Sequence, residues 1–250
     1  MSRRKRRSPV EGRVFTLERG GSVVHILGED HRKGPRERLP RVDVLLVEYD
    51  VFHASESLPP FGQLPTTTRV LKSIDHAYKR SSIQPARLPS SAVPCDVREA
   101  CHVLKDPGLY EVLRDLSPRR LRQYLQYRTS RLLDPPRAVQ ELFFDLLRRL
   151  APRERDTYLF LFDQYRRETS SLLNFERRRY AQYGMMAHDT DIIDALYHDA
   201  PQKMTDFYFV LNILARRTTP AMGVLCGFHH VQSLRTLLSS FGFAPASEGT

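Results

Sequence analysis

The run Val44-Leu45-Leu46-Val47 has no polar position in it. Successive side chains of a strand point to opposite faces, so a strand of this kind leaves neither face to water. It needs cover on both sides, and it turns acidic only at Glu48. Other segments read as strands of the same sheet. "RVFTLERGGSVVHILGE" predicts a hairpin, with Val14, Phe15 and Leu17 before a turn at Gly20-Gly21 and Val23 to Leu27 after it. "SSAVPCDVREA" predicts a short strand ending at Asp96, and "AMGVLCGFHH" carries Val224, Leu225 and Cys226 into Gly227. The link over residues 34–41 is short and broken by proline.

Helical patterns fill most of the chain between these strands. "SPRRLRQYLQYRTSRLL" has Ser117 as N-cap and Pro118 at the first helical position. "PPRAVQELFFDLLRRL" predicts a helix after Pro136, and residues 151–186 predict one long helix or two in series. In "PQKMTDFYFVLNILARR", Met204, Phe207, Tyr208, Leu211 and Leu214 recur at helical spacing. "VQSLRTLLSSFGF" turns Val231, Leu234, Leu237, Leu238 and Phe241 inward, and Gly242 is placed to end that helix. The expected architecture is α/β (α+β): a mixed central β-sheet with a large helical insertion. Residues 1–12 read as a disordered basic arm and 13–250 as a single domain with its helical middle at about 110–218.

With 250 residues, 41% of them hydrophobic, the chain can build a substantial core. No apolar run approaches the ~20 residues of a membrane span, and the charged N-terminus is not followed by a secretory h-region. The expectation is an intracellular protein, not secreted, cytoplasmic or nuclear through its basic N-terminus. The formal net charge of +10 favours nucleic acid or acidic partners. Arg3, Arg4, Lys5, Arg6 and Arg7 form an unbroken run that suits an import or nucleic-acid patch, or a plain solvated arm. The remaining arginines are dispersed along helices, as on solvated faces. The three cysteines form no Cys-x-x-Cys and read as free thiols.

Two strand ends echo one another. Gly28-Glu29-Asp30-His31 follows the first apolar strand after the hairpin turn, and Gly227-Phe228-His229-His230 follows the last. Both spell Gly-x-x-His. Glycine lets the chain bend or approach closely, and the histidine then sits at the sheet edge where α/β folds place their chemistry. Glu48 ends a strand on the same edge. Two imidazoles and a carboxylate can hold a divalent transition metal (Mn, Co or Zn) and leave positions for water. Such an ion lowers the pKa of its water and polarises a carbonyl. The segment "AHDTDIIDALYHDA" is rich in Asp and His, but its apolar positions suit a capped surface helix better than a second metal site.

The set resembles the TraB/PrgY/Tiki family, within the EreA/ChaN-like superfamily. That family has a Gly-x-x-His after an N-terminal strand, a strand ending in a functional glutamate, and a C-terminal "vvGxxHlxgixxlLxxxGy". The matching stretches here are "ILGEDH", "LLVEYD" and "VLCGFHHVQSLRTLLSSFGF". "CDVR", ending at Arg98, resembles the family's Asp-Arg segment, and "NFERRRYAQYG" resembles a helical segment with Glu176 and Arg177 at the matching places. The resemblance implies a metal-dependent hydrolase, peptidase-like, acting on a peptide or small-molecule substrate. It implies His31, Glu48 and His230 as metal ligands and catalytic groups, and Arg98 and Arg177 as substrate-binding residues. Two departures stand out. Glu29 occupies a position where the family often has threonine, which makes it a further candidate base or ligand; and His229 doubles the histidine of the second end. The alternatives are a non-catalytic regulatory protein that uses its basic surface, and an esterase-like hydrolase in which His and Glu work without metal.

Overall fold

The computed structural model describes residues 12–30, 37–50, 89, 91–97, 137–183 and 200–246. These fall into two compact units. The first takes its described residues from 1–49, 71–95 and 216–250, and the second from 50–70 and 96–215. In chain order the elements are β1 (Val14–Arg19), β2 (Ser22–Glu29), β3 (Val44–Asp50), β4 (Val93–Asp96), α1 (Arg137–Leu147), α2 (Pro152–Tyr183), α3 (Ala200–Leu214), β5 (Ala221–Gly227), α4 (Phe228–Ser239) and β6 (Ala244–Pro245).

The first unit is built on a six-stranded mixed sheet of order β4-β3-β5-β2-β1-β6. β1 and β2 form the hairpin expected around Gly20-Gly21, whose φ angles of 54° and 85° lie in the left-handed region that favours glycine. The last strand of any length, β5, inserts between β2 and β3 and runs parallel to both. Its registers set Leu27 opposite Leu225 and Leu225 opposite Val47. These three form one buried row, with Val14, Leu39, Leu45 and Ala92 packed against it. The pleat sends the alternate positions Val24, Ile26, Leu46, Met222, Val224 and Cys226 to the other face, where all six are fully buried. The unbroken apolar run of β3 is thus covered on both sides, as its composition requires.

α4 supplies the cover on the second face. Its Val231, Leu234, Leu237 and Leu238 are buried at helical spacing. Burial of each such side chain contributes roughly 1.5–3 kcal/mol. Arg235 lies over the ring of Phe15, 4.8 Å from its centroid, on the neighbouring strand β1. The helix can come this near because position 28 is a glycine. A Cβ there would run into the Val231 side chain and stand 2.9 Å from the Phe228 Cα. The helix ends as its sequence predicts. Gly242 adopts φ 82°, its N–H donates to the Ser239 carbonyl, and the Phe243 N–H donates to the Leu238 carbonyl, the Schellman pattern.

The second unit contains α1, α2 and α3. Of residues 151–186, open in sequence to one helix or two, Pro152–Tyr183 form one 32-residue helix, α2, with neither Gly nor Pro after its first position. α3 is buried from Met204 to Leu214 on all sides. Its Phe207 and Tyr208 join Phe143 of α1 and Tyr158, Phe162 and Tyr165 of α2 in one aromatic cluster, with ring centroids 5.1–6.3 Å apart. The Tyr158 hydroxyl donates to the Phe207 carbonyl at 3.0 Å. No described helix is long and apolar enough to cross a membrane.

Candidate active site

Three parallel strands, β3, β5 and β2, end at one edge of the sheet. The described parts of the two Gly-x-x-His ends are therefore neighbours along the sheet edge, with Gly28 opposite Cys226 and Glu29 opposite Gly227. Continuing the β3–β5 register past Val47 and Leu225 sets Glu48 beside Cys226, in the row that faces α4. There Glu48 Oε1 lies 3.2 Å from His230 Nε2, with the side chains 3% and 2% exposed. The other carboxylate oxygen, Oε2, accepts the Gly227 N–H at 2.5 Å. Both oxygens of Glu48 are thus engaged by the β5–α4 junction.

The local sequence explains this junction. Gly227 is the N-cap of α4, in an extended conformation with no side chain to accept a helix-start N–H. α4 begins directly at Phe228, three residues earlier than the apolar spacing of Val231 and Leu234 suggests. His230 consequently stands in the first turn of the helix and not in a strand-end loop. The carboxylate of Glu48 lies at the positive end of the helix, where negative charge is favoured. The first turn is held from a strand some 180 positions away in sequence, and no local pattern announces that partner. The usable signals were an acid closing an unbroken apolar strand and a glycine opening a helix.

Of the other candidates, Glu29 is fully buried at the end of β2. The pleat puts it one row beyond Gly28, on the face carrying Leu27 and opposite the face that holds Glu48 and His230. The Glu48–His230 pair and Glu29 therefore flank β5 from different sides of the sheet. His31, Arg98, Arg3 to Arg7, the helix expected after Ser117 and the Asp/His-rich segment at 188–199 lie outside the described residues, as does the side chain of Arg177. Among the described residues, no group of three or more His, Cys, Asp or Glu could hold a metal ion. Cys95 and Cys226 are buried and in no disulfide, and Cys101 lies outside the described residues.

His229 turns the other way from His230. It is exposed, and its ring lies against that of Phe228 with centroids 3.8 Å apart. Compared with family models, curated proteins and solved structures, the chain matches none.

Proposed function

We propose that the chain is a hydrolase of the TraB/PrgY/Tiki kind, with an EreA/ChaN-like fold, cleaving a peptide or small amide with the help of a divalent transition metal. The observation that carries the reading is the buried contact between Glu48 and His230 at the carboxyl edge of three parallel strands. A carboxylate and an imidazole are the donor types such an ion takes. Two donors each about 2.1 Å from a common ion stand about 3.2 Å apart at an angle of ~100°, and 3.2 Å is the separation found between Oε1 and Nε2. Glu48 and His230 would hold the ion, and His31, the histidine of the first Gly-x-x-His end, would complete the set. The ion would activate water and polarise the scissile carbonyl. The Gly227 N–H, bound to Glu48, fixes the carboxylate in place for that task.

The direct Glu48–His230 contact also favours a second reading, in which the carboxylate orients the imidazole and the imidazole acts as base without metal. Metal content separates the two. The test uses the purified full-length chain and its E48Q, H31N and H230N variants. Metal is measured by plasma mass spectrometry, and cleavage of a pool of internally quenched peptides is followed with and without chelator. The first reading expects bound metal, chelator-sensitive cleavage and loss of both in the variants. Cleavage that ignores chelator in a metal-free protein moves the site to the second reading. No cleavage by the wild-type chain removes both.

A further inference from the structure

α2 carries aromatic side chains on two faces. Tyr158, Phe162 and Tyr165 turn to Phe207 in the cluster described above. Phe160 and Phe175 do not, and are 68% and 62% exposed. At about 100° and 1.5 Å per residue, Phe160, Gln164, Ser171 and Phe175 fall in one stripe roughly 60° wide and ~22 Å long, and all four are exposed. Arg167 and Glu168, also exposed, lie about 20° beyond its two edges, one on each flank. Contacts within the helix lay both side chains along it. Arg167 Nη2 stands 2.7 Å from Asp163 Oδ2, and Gln164 Nε2 donates to Glu168 Oε1 at 3.0 Å.

These charges bear on what can cover the stripe. The chain carries a net charge of +10, which opposes self-association wherever basic surfaces meet. Between Phe160 and Phe175 the described charges bordering the stripe are Asp163, Arg167 and Glu168, so two copies can meet here without that cost. The flanks are also complementary to each other. In a parallel, in-register pair of α2 helices the Arg167 flank of one copy meets the Glu168 flank of the other, twice by symmetry. An antiparallel pair would bring like flank against like flank, with Arg167 near Arg167.

We propose that this face of α2 is a homodimer interface in which two α2 helices pack parallel and in register. Phe160 meets Phe160 and Phe175 meets Phe175, and Arg167 of each copy pairs with Glu168 of the other. One helix pair is small beside a standard interface of about 1,600 Å², so the dimer forms and dissociates with concentration. It is independent of the hydrolase reading.

Sedimentation equilibrium of the full-length chain over a range of concentrations tests this. The wild type should show a monomer–dimer equilibrium, and F160E and F175E should each weaken it by at least about 10-fold. R167E and E168R should each weaken it too, because like charges then face each other. An equimolar mixture of those two variants should recover it, because every facing pair is again of opposite sign. S171C should cross-link to itself through residue 171 under mild oxidant, as read by peptide mass mapping. In dilute solution, where the wild type is monomeric, F160E should share its urea midpoint. A wild-type chain that stays monomeric overturns the proposal, as does a dimer indifferent to F160E and F175E. A mixture no tighter than its components, or dimers of S171C not joined at 171, overturns the parallel register. A lowered urea midpoint in F160E would show that another part of the chain covers this face, and the dimer falls.

Discussion

His230 Nε2 stands 3.2 Å from Glu48 Oε1, and the two side chains are almost wholly out of water. The carboxylate comes from the end of β3 and the imidazole from the first turn of α4, so the contact ties two elements about 180 residues apart. Burying such groups is costly, and the contact stabilises only while both partners are present. Glu48→Ala would leave His230 and the Gly227 N–H without their acceptor. The expected destabilisation is about 3–5 kcal/mol. Glu48→Gln keeps an acceptor for Gly227 and should cost distinctly less. Urea unfolding of both variants checks this, and an E48A variant within ~0.5 kcal/mol of wild type would sink the assignment of a structural hold to the pair.

Gly28 sets how closely α4 lies on β2. Gly28→Ala must push Val231 and the Phe228 backbone away, since the added Cβ meets both. The backbone cannot yield as a flexible side-chain end does, so a loss of about 1–3 kcal/mol is expected. The displaced segment is the turn bearing His230. Activity of G28A should therefore fall more than its stability at assay temperature would explain. Unfolding midpoints and kcat/KM measured together test this, and an unaltered kcat/KM would overturn it.

Which parts of this arrangement were legible in sequence follows from the range of the forces that set them. The β1–β2 hairpin was readable because Gly20-Gly21 sits between two apolar runs, and their backbone angles are the ones only glycine takes readily. The strand at 44–50 was readable because an unbroken apolar run leaves no face for water. The length of α2 is not legible in sequence because length depends on what it packs against, here the rings of Phe143 and Phe207. The echo of the two Gly-x-x-His ends was visible, but not that β5 would enter between β2 and β3. The apolar spacing places the start of α4 three residues late, because Phe228, His229 and His230 have modest helix propensity and Gly227 offers no capping side chain. The carboxylate found at that helix start is Glu48, which accepts the Gly227 N–H and is close in space but remote in the chain. The separation of Glu29 from Glu48 by the pleat likewise needs the register, which composition does not carry.

In the helical unit, Tyr158 is fully buried, and burial holds its phenol well above the usual value of 10.0, with Tyr208 adding to the effect. Its hydroxyl donates to the Phe207 carbonyl. Tyr158→Phe would keep the ring in the aromatic cluster and remove only that bond. The expected cost is about 0.5–1.5 kcal/mol. The raised value also fixes a sign. The unfolded chain loses this proton near pH 10.0 while the folded chain keeps it, so the stability it contributes is complete below that pH and declines as pH rises beyond it. The alkaline decline in urea midpoint should be shallower in Y158F than in wild type. Equal slopes would show that Tyr158 is not protected.

His25 gives the opposite sign. It sits mid-strand in β2, across from Thr16 of β1, whose hydroxyl lies 3.0 Å from its Nδ1. Burial lowers its pKa below 6.5. The unfolded chain therefore takes up a proton on this side chain before the folded chain does. Above pH 6.5 both states carry a neutral imidazole, and the stabilisation is complete. As pH falls below that value the unfolded state is favoured by protonation, and stability is lost until the folded value is passed. The side chain keeps part of its surface in water, so the loss should be modest. His25→Gln cannot titrate and retains a polar group for Thr16. Urea midpoints of wild type and H25Q, compared between about pH 7.5 and 5, should show wild type losing ground to the variant as the medium becomes acidic. A gap that stays constant over that range would rule out His25 as a source of acid sensitivity.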